Sequence, residues 1–278
     1  MVHYFGDSFT EGAGIVKIAK RLHAPKIDLI SPAISENLLE HSLTKLLKQE
    51  YHNNYAVGGS SNEDILNCIY SNINNFESHD YIIIGTTCPG RKKFYVQNEE
   101  AFNEVLELQM LPTHYEEIDK YLKDPSTNIY DMYNKNTLKG INLYYKEYIM
   151  QDKVIDYEYS IQKKYIAELQ KFLSRWNIHS IVWEFDLWDW FETLDKWSKG
   201  AIPDSHFSPN SHLQLAHLLH ECIKDEKKVL TKRYVDDNIG RIFDSLEYIP
   251  YLEEHSNSED MKEHIINLPV QPNKLPFI

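Results

Sequence analysis

The stretch that decides the fold lies near the start of the sequence and reads Tyr4-Phe5-Gly6-Asp7-Ser8-Phe9-Thr10-Glu11-Gly12. The apolar residues before Gly6 predict a short buried strand, and Gly6 and Gly12 bracket a polar turn before a helical pattern that begins at Ile15. Ser8 would then follow the carboxyl end of a strand, which is where open α/β sheets hold their active sites. The same residues also suit an ordinary turn and helix N-cap. This stretch alone therefore does not decide between a serine in an active site and a serine that only shapes a turn.

A second polar segment, far along the chain, supplies the other groups that a serine nucleophile needs. It reads Ile202-Pro203-Asp204-Ser205-His206-Phe207-Ser208-Pro209. A serine hydroxyl becomes an effective nucleophile when an imidazole takes its proton and a carboxylate fixes the tautomer of that imidazole. Ser8, His206 and Asp204 would form such a set. His212 is the alternative base, although its position inside a predicted helix makes it less able to reach Ser8.

Two glycine-containing segments lie between these polar stretches: Asn54-Tyr55-Ala56-Val57-Gly58-Gly59-Ser60-Ser61-Asn62 and Tyr81-Ile82-Ile83-Ile84-Gly85-Thr86-Thr87-Cys88-Pro89-Gly90-Arg91. Together the four segments follow the order of the sequence blocks of SGNH (GDSL-type) hydrolases, and the chain resembles that family over roughly its first 220 residues. The resemblance implies that Ser8 is the nucleophile and that Asp204 and His206 assist it. It also implies an oxyanion hole formed by the backbone N–H groups of Ser8 and Gly59.

The third block departs from the family pattern, because Thr87 stands where the family has an asparagine that donates to the oxyanion. Loss of such a donor typically costs about two to three orders of magnitude in rate. We expect the Thr87 hydroxyl or Arg91 to replace it, and Asn62 is a further candidate for an oxyanion or substrate contact. The Gly-Thr-Thr-Cys-Pro-x-Arg form of residues 85–91 resembles a divergent branch found in phage and environmental bacterial sequences.

The resemblance implies a serine esterase that removes small acyl groups, in particular O-acetyl groups on a carbohydrate, with no cofactor. Two alternatives stay open. One is a carbohydrate O-acyltransferase that uses the same site but excludes water. The other is a catalytically inactive carbohydrate-binding or structural module, which the threonine at position 87 favours. An α/β-hydrolase nucleophile elbow fits poorly, because the segment at 58–62 lacks the final glycine of Gly-x-Ser-x-Gly.

The alternation of apolar runs and helical patterns predicts an α/β protein with parallel strands. We expect a three-layer α/β/α sandwich with a mainly parallel, flavodoxin-like sheet of the SGNH hydrolase kind, over residues 1–223. A helical insertion is expected at about 98–170, and 224–278 would form a helical and extended extension. Its Pro-spaced end from Asn267 suits docking on its own domain, on a second copy in a homo-oligomer or on a component of a particle.

Composition excludes several classes of function. The 278 residues carry a formal net charge of −13 and a pI near 5.4, which disfavours nucleic acid or an anionic membrane as the main partner. Three scattered cysteines do not form a disulfide framework, and no spacing of histidines or cysteines predicts a metal site. No secretory signal or transmembrane run is evident, so we expect a cytoplasmic protein, with association with a virion as the alternative.

Overall fold

The computed structural model describes residues 1–11, 38–97, 105–110, 114–124, 130, 133–185, 187 and 209–243. The chain forms two compact units. The sheet unit comprises Met1–Ser60, Ile65–Thr86 and Leu169–Ile278, and the insertion unit comprises Ser61–Asp64 and Thr87–Glu168.

The strands are, in chain order, β1 (Val2–Phe5), β2 (His52–Asn54), β3 (Tyr81–Gly85), β4 (Lys92–Gln97), β5 (Val105–Met110), β6 (His179–Trp183) and β7 (Val229–Leu230). Five of them form one sheet in the order β2-β1-β3-β6-β7, and every neighbouring pair in it is parallel. Without the β4–β5 hairpin, this is the 2-1-3-4-5 order of flavodoxin-like sheets. The prediction of an α/β fold with a mainly parallel sheet is confirmed, and the arrangement is compatible with three α/β/α layers.

The helices are α1 (Ser8–Glu11), α2 (Leu38–Leu46), α3 (Asn62–Asn72), α4 (His114–Lys123), α5 (Lys135–Tyr144), α6 (Asp152–Arg175), α7 (Pro209–Lys224) and α8 (Lys232–Phe243). A short 3₁₀ turn, Ile73–Asn75, follows α3, and a π-helical turn, Tyr145–Ile149, follows α5. The apolar residues Leu38, Leu39, Leu43 and Leu46 recur at helical spacing in α2. Pro209 is the first residue of α7, as its fixed φ favours.

Side chains of the central strands alternate between the two faces of the sheet. The residues of one face pack with α2 and α7, and this cluster includes Val2, Tyr4, Ile83, Ile181, Trp183, Leu39, Leu43, Leu215, Leu218 and Leu219. On the other face Phe5 stacks on Tyr55, with ring centroids 4.9 Å apart, and meets Phe76 edge-on. Trp183 is fully buried, so it is a core residue. Trp188, Trp190 and Trp197 lie outside the described residues.

The insertion unit contains an antiparallel hairpin, in which Lys92 pairs with Met110 and Gln97 pairs with Val105. Its core consists of Val96, Leu108, Met110, Ile118, Tyr121, Tyr130, Leu138, Tyr145 and Ile149. The sequence predicted a helical insertion at about 98–170, whereas the insertion unit also contains residues 61–64 and 87–97 and includes this hairpin. Each strand is six residues long, and β5 alternates apolar with polar side chains from Leu106 to Met110, which is the period that marks a strand.

The sheet continues beyond the predicted division at residue 223. Helix α7 ends in a Schellman cap, in which Glu226 N–H donates to Ile223 O and Lys227 N–H donates to Cys222 O, both at 2.9 Å. The chain then forms β7, in which Val229 pairs with Val182 of β6. A two-residue strand is too short to leave a periodic signal in the sequence, which explains the difference. The Pro-spaced tail from Asn267 lies outside the described residues.

A buried histidine and aspartate join the amino ends of β1 and β3. His3, only 1% exposed, has its Nε2 atom 3.1 Å from Asp80 Oδ2. The Glu77 N–H donates to the same carboxylate oxygen at 2.8 Å, and Phe76 covers the imidazole ring. Burial lowers the pKa of His3 below its ordinary value of 6.5, although Asp80 partly offsets this effect. The folded state therefore holds a neutral His3 that donates to Asp80.

This pair predicts a pH dependence of stability. Below about pH 6.5 the unfolded chain takes up a proton that folded His3 resists, so the free energy of unfolding falls as the pH is lowered through that value. His3→Gln keeps an amide donor for Asp80 but does not titrate. We expect urea denaturation at pH 8.0 and 5.5 to show a smaller loss in the variant than in the wild type. Equal losses in both proteins would contradict this role of His3.

Candidate functional site

Ser8 lies at the carboxyl end of the parallel sheet, as its position in the sequence predicted. It is the first residue of α1, directly follows the β1 turn at Gly6 and Asp7, and is half-buried. The Glu11 N–H donates to Asp7 O at 2.9 Å and closes the first turn of the helix. Strand order reverses between β1 and β3, because β2 lies on one side of β1 and the later strands lie beyond β3. Ser8 is therefore at the topological switch point, where open sheets bind ligands.

Two glycines let the turn that carries Ser8 approach the end of β3. A Cβ atom on Gly6 would lie 2.1 Å from Thr10 Oγ1, and one on Gly85 would lie 2.3 Å from the same atom. The Gly85 Cβ would also lie 2.6 Å from the Trp183 ring. These distances leave no room for a side chain at either position. The location of Ser8 is therefore fixed by direct contact of its helical turn with the sheet.

The structure brings Ser8 together with the turn that contains Gly59. In that turn Ser60 N–H donates to Val57 O at 3.1 Å, and Gly59 has a φ of +84°, a conformation that favours glycine. The Val57 N–H donates to Gly6 O at 3.2 Å, which joins the turn to the nucleophile loop. A Cβ atom on Gly58 would lie 3.6 Å from the Ser8 Cβ. The serine and the glycine turn, which are distant in sequence, are thus neighbours at one edge of the sheet.

The sequence analysis missed two polar side chains that hold these loops. Asn54 accepts Ala56 N–H at 2.8 Å and donates to Thr10 O at 3.2 Å and to the Glu40 carboxylate. Glu11 Oε2 accepts the Gly58 N–H at 2.7 Å. Neither residue belongs to a recognised catalytic pattern. The only signal for Glu11 was its position three residues after Ser8, which places both on one side of a helical turn.

In the insertion unit, the start of α3 is fixed by a reciprocal cap. Ser61 Oγ accepts the Asp64 N–H at 3.2 Å, and Asp64 Oδ2 accepts the Ser61 N–H at 2.8 Å. This arrangement is a capping box, which satisfies two backbone donors at the helix start. It sets Asn62 as the first residue of the helix.

Asn62 clamps the backbone of Thr87 within the same unit. The Thr87 N–H donates to Asn62 Oδ1 at 2.8 Å, and Asn62 Nδ2 donates to Thr87 O at 2.6 Å and to Gln162 Oε1 at 2.9 Å. Both side chains are buried, at 3% exposure for Asn62 and 0% for Thr87. The Thr87 hydroxyl has no hydrogen-bond partner within the described part of the chain. Asn62 therefore positions a backbone segment, and the oxyanion roles predicted for Asn62 and Thr87 stay predictions.

The remaining predicted site residues fall in different places. The Arg91 side chain is buried in the insertion unit, and the backbone N–H of Arg91 donates to Cys88 O at 3.1 Å. Its role as a replacement for the missing asparagine stays a prediction. Asp204 and His206 lie outside the described residues. His212 is buried on α7, inside the helix as the sequence predicted.

Two cysteine thiols are poor rivals to Ser8 as nucleophiles. Burial raises the pKa of Cys222 to about 12, and burial also raises the pKa of Cys68. Both thiols therefore stay protonated near neutral pH, and a protonated thiol is a weak nucleophile.

In the part of the chain that the structure describes, no three side chains of histidine, cysteine, aspartate or glutamate are grouped so that they could hold a metal ion. Nor does any helix described there combine the length and apolar character that crossing a bilayer requires.

Comparison with known proteins identifies no relative: no family model matches the chain, and no curated protein or solved structure is significantly similar to it. The function of the chain is therefore inferred from its own residues and their geometry.

The clamp on Thr87 predicts a large effect of Asn62 on stability. Asn62→Ala leaves the buried N–H and C=O groups of Thr87 without this partner, which we expect to lower the free energy of unfolding by roughly 2 kcal/mol or more. Asn67→Ala is the matched control, because Asn67 is exposed on the same helix. It should leave stability unchanged or slightly raised, since alanine favours a helix. Equal urea midpoints for the two variants would contradict the clamp.

Proposed function

We propose that this chain is a serine ester hydrolase of the SGNH type that removes small acyl groups through an acyl-enzyme intermediate on Ser8. The observation that carries the proposal is the position of Ser8 at the switch point, beside the Gly58–Gly59 turn. That position combines a nucleophile with backbone amides at the edge of a parallel sheet where α/β enzymes act. The finer fold assignment, a three-layer sandwich of the SGNH kind, is part of the same proposal.

In the proposed reaction, Ser8 Oγ attacks the ester carbonyl carbon while His206 takes the hydroxyl proton. The resulting oxyanion is stabilised by the backbone N–H groups of Ser8 and Gly59. When the intermediate collapses, the bond to the alcohol oxygen breaks, and His206 returns the proton to the leaving alcohol. A water molecule then attacks the acyl-enzyme, again with His206 as base, and releases the carboxylic acid and free Ser8. Asp204 orients His206 and stabilises its charged form.

In this proposal, backbone N–H groups contribute more to oxyanion stabilisation than the side chain of Thr87 does. The Thr87 N–H is taken by Asn62, and its side chain is fully buried. The two N–H groups of Ser8 and Gly59 would therefore be the main oxyanion donors. Arg91 or the Thr87 hydroxyl could add to them only after a local rearrangement that exposes one of these buried groups.

We propose an acylated carbohydrate, with O-acetyl as the acyl group, as the substrate class. The support is the family resemblance together with the charge of −13, which disfavours polyanionic partners. No step in the proposed reaction requires a cofactor, since the serine, histidine and aspartate supply both the nucleophile and the proton transfers.

A second candidate function is a non-catalytic carbohydrate-binding module that keeps the fold. The specific observation in its favour is that the Thr87 side chain is fully buried, where the family presents an asparagine donor. Such a module would bind its carbohydrate equally well with and without the Ser8 hydroxyl and would hydrolyse no ester.

The nucleophile assignment predicts the effect of Ser8→Ala. We expect the variant to lose about three orders of magnitude or more in kcat on p-nitrophenyl acetate, because no covalent intermediate can form. Release of acetate from an O-acetylated polysaccharide should fall in parallel. Ser71→Ala is the control, since Ser71 is exposed at the end of α3, and it should keep wild-type rates. Wild-type activity no greater than that of Ser8→Ala on every ester tested would instead favour the binding module.

A further inference from the structure

The carboxylate of Glu11 connects the helical turn of Ser8 with the turn of Gly59. Its Oε2 atom accepts the Gly58 N–H at 2.7 Å, a short distance that is typical of a charge-assisted hydrogen bond. Glu11 is itself fixed, because its N–H donates to Asp7 O and closes the turn that begins with Ser8. The two joined segments are 47 residues apart in sequence.

This bond joins a side chain directly to the backbone of the Gly58–Gly59 turn. Two further bonds of the turn run between backbone groups. Val57 N–H donates to Gly6 O at 3.2 Å, and Ser60 N–H closes the turn on Val57 O. Without Glu11, the Gly58 N–H, which belongs to the peptide between Val57 and Gly58, would lose this acceptor. Two consecutive glycines have more conformational freedom than any other pair, so such a turn would lose its fixed geometry.

The position of the turn matters because of its distance from Ser8. A Cβ atom on Gly58 would lie 3.6 Å from the Ser8 Cβ and 2.9 Å from Glu11 Oε2. The glycine peptide, the carboxylate and the serine side chain therefore meet within one small volume. Oxyanion donors act through accurate placement, and displacements of about an ångström cost large factors in rate.

We propose that Glu11 is a positioning residue of the oxyanion hole: it holds the peptide between Val57 and Gly58, so that the Gly59 N–H on the following peptide stays beside Ser8. The inference rests on the proposed function, because it assigns Glu11 to the same reaction. Glu11 acts through a hydrogen bond it accepts and takes no proton in the reaction. Since the carboxylate occupies the Gly58 N–H, the amide that this turn offers to the substrate is that of Gly59.

Three substitutions separate a hydrogen-bonding role from charge and bulk. Glu11→Gln keeps an oxygen at the same reach and can accept the Gly58 N–H. Glu11→Asp keeps the charge but is one methylene shorter, and Glu11→Ala removes the acceptor. We expect kcat on p-nitrophenyl acetate to fall about tenfold to a hundredfold in the alanine and aspartate variants, with KM within about threefold of wild type. The glutamine variant should stay within about threefold of wild type in kcat. Glu50→Ala, an exposed change, is the control.

A readout independent of turnover checks the same bond. The protein has ten glycines, so selective ¹⁵N-glycine labelling gives a simple amide spectrum. The Gly58 amide signal should shift upfield and exchange faster with solvent in Glu11→Ala, and should stay protected in Glu11→Gln. Glu11→Gln and Glu11→Asp both keep a polar side chain. Their comparison therefore tests the hydrogen bond to the Gly58 N–H even if Glu11→Ala unfolds.

The outcomes distinguish this inference from the proposed function. An active wild type with rescue by glutamine but not by aspartate supports the positioning role. An active wild type whose kcat is unchanged in Glu11→Ala, or is lost equally in Glu11→Gln, overturns the positioning role and leaves the hydrolase intact. A wild type no more active than Ser8→Ala overturns the hydrolase, and with it the role of Glu11 in that reaction.

Discussion

The arrangement of the candidate site depends first on the contact between the helical turn of Ser8 and the carboxyl end of β3. Thr10 of α1 lies so close to Gly6 and Gly85 that a Cβ atom on either glycine would overlap its hydroxyl group. Because protein interiors are close-packed and resist displacement, such a close buried contact fixes the position of the helical turn. The place of Ser8 at the carboxyl edge of the sheet follows from this packing, and the loops around it are arranged against it.

Around that contact, polar side chains hold backbone segments in place. Asn54 holds the loop after β2, and Glu11 holds the Gly58–Gly59 turn. Within the insertion unit, taken by itself, Asn62 holds the backbone of Thr87 in a similar way. Each of these side chains satisfies N–H or C=O groups that would otherwise lack partners in loops. A site built in this way presents backbone amides with fixed geometry, which suits the stabilisation of an oxyanion more than the recognition of a bulky side chain.

Much of the sheet could be predicted from the sequence, for identifiable reasons. Strands β1, β3 and β6 are short apolar runs bounded by turn residues, and Ser208-Pro209 marks the start of α7. Strand β7 has two residues and leaves no pattern. Of the β4–β5 hairpin, β5 does alternate apolar and polar residues, but it lies in a charged stretch whose helical patterns are stronger.

The candidate site was only partly predictable. The location of Ser8 and its proximity to the glycine turn followed from the order of the sequence blocks. The bond from Glu11 to Gly58 did not, because a contact between side chain and backbone across 47 residues leaves no spacing to read. The clamp of Asn62 on Thr87 was also missed, because it too joins residues that are distant in sequence. In addition, an asparagine after two serines looks like ordinary helix capping.

The most direct test of the central claim, that Ser8 is an activated nucleophile, is covalent labelling. The intact protein would be treated with a fluorophosphonate that modifies activated serines, and the adduct would be located by peptide mass mapping. The account predicts one phosphonyl group per chain, on the peptide that contains Ser8, and none after denaturation before treatment. No adduct, or an adduct on another serine, would contradict it.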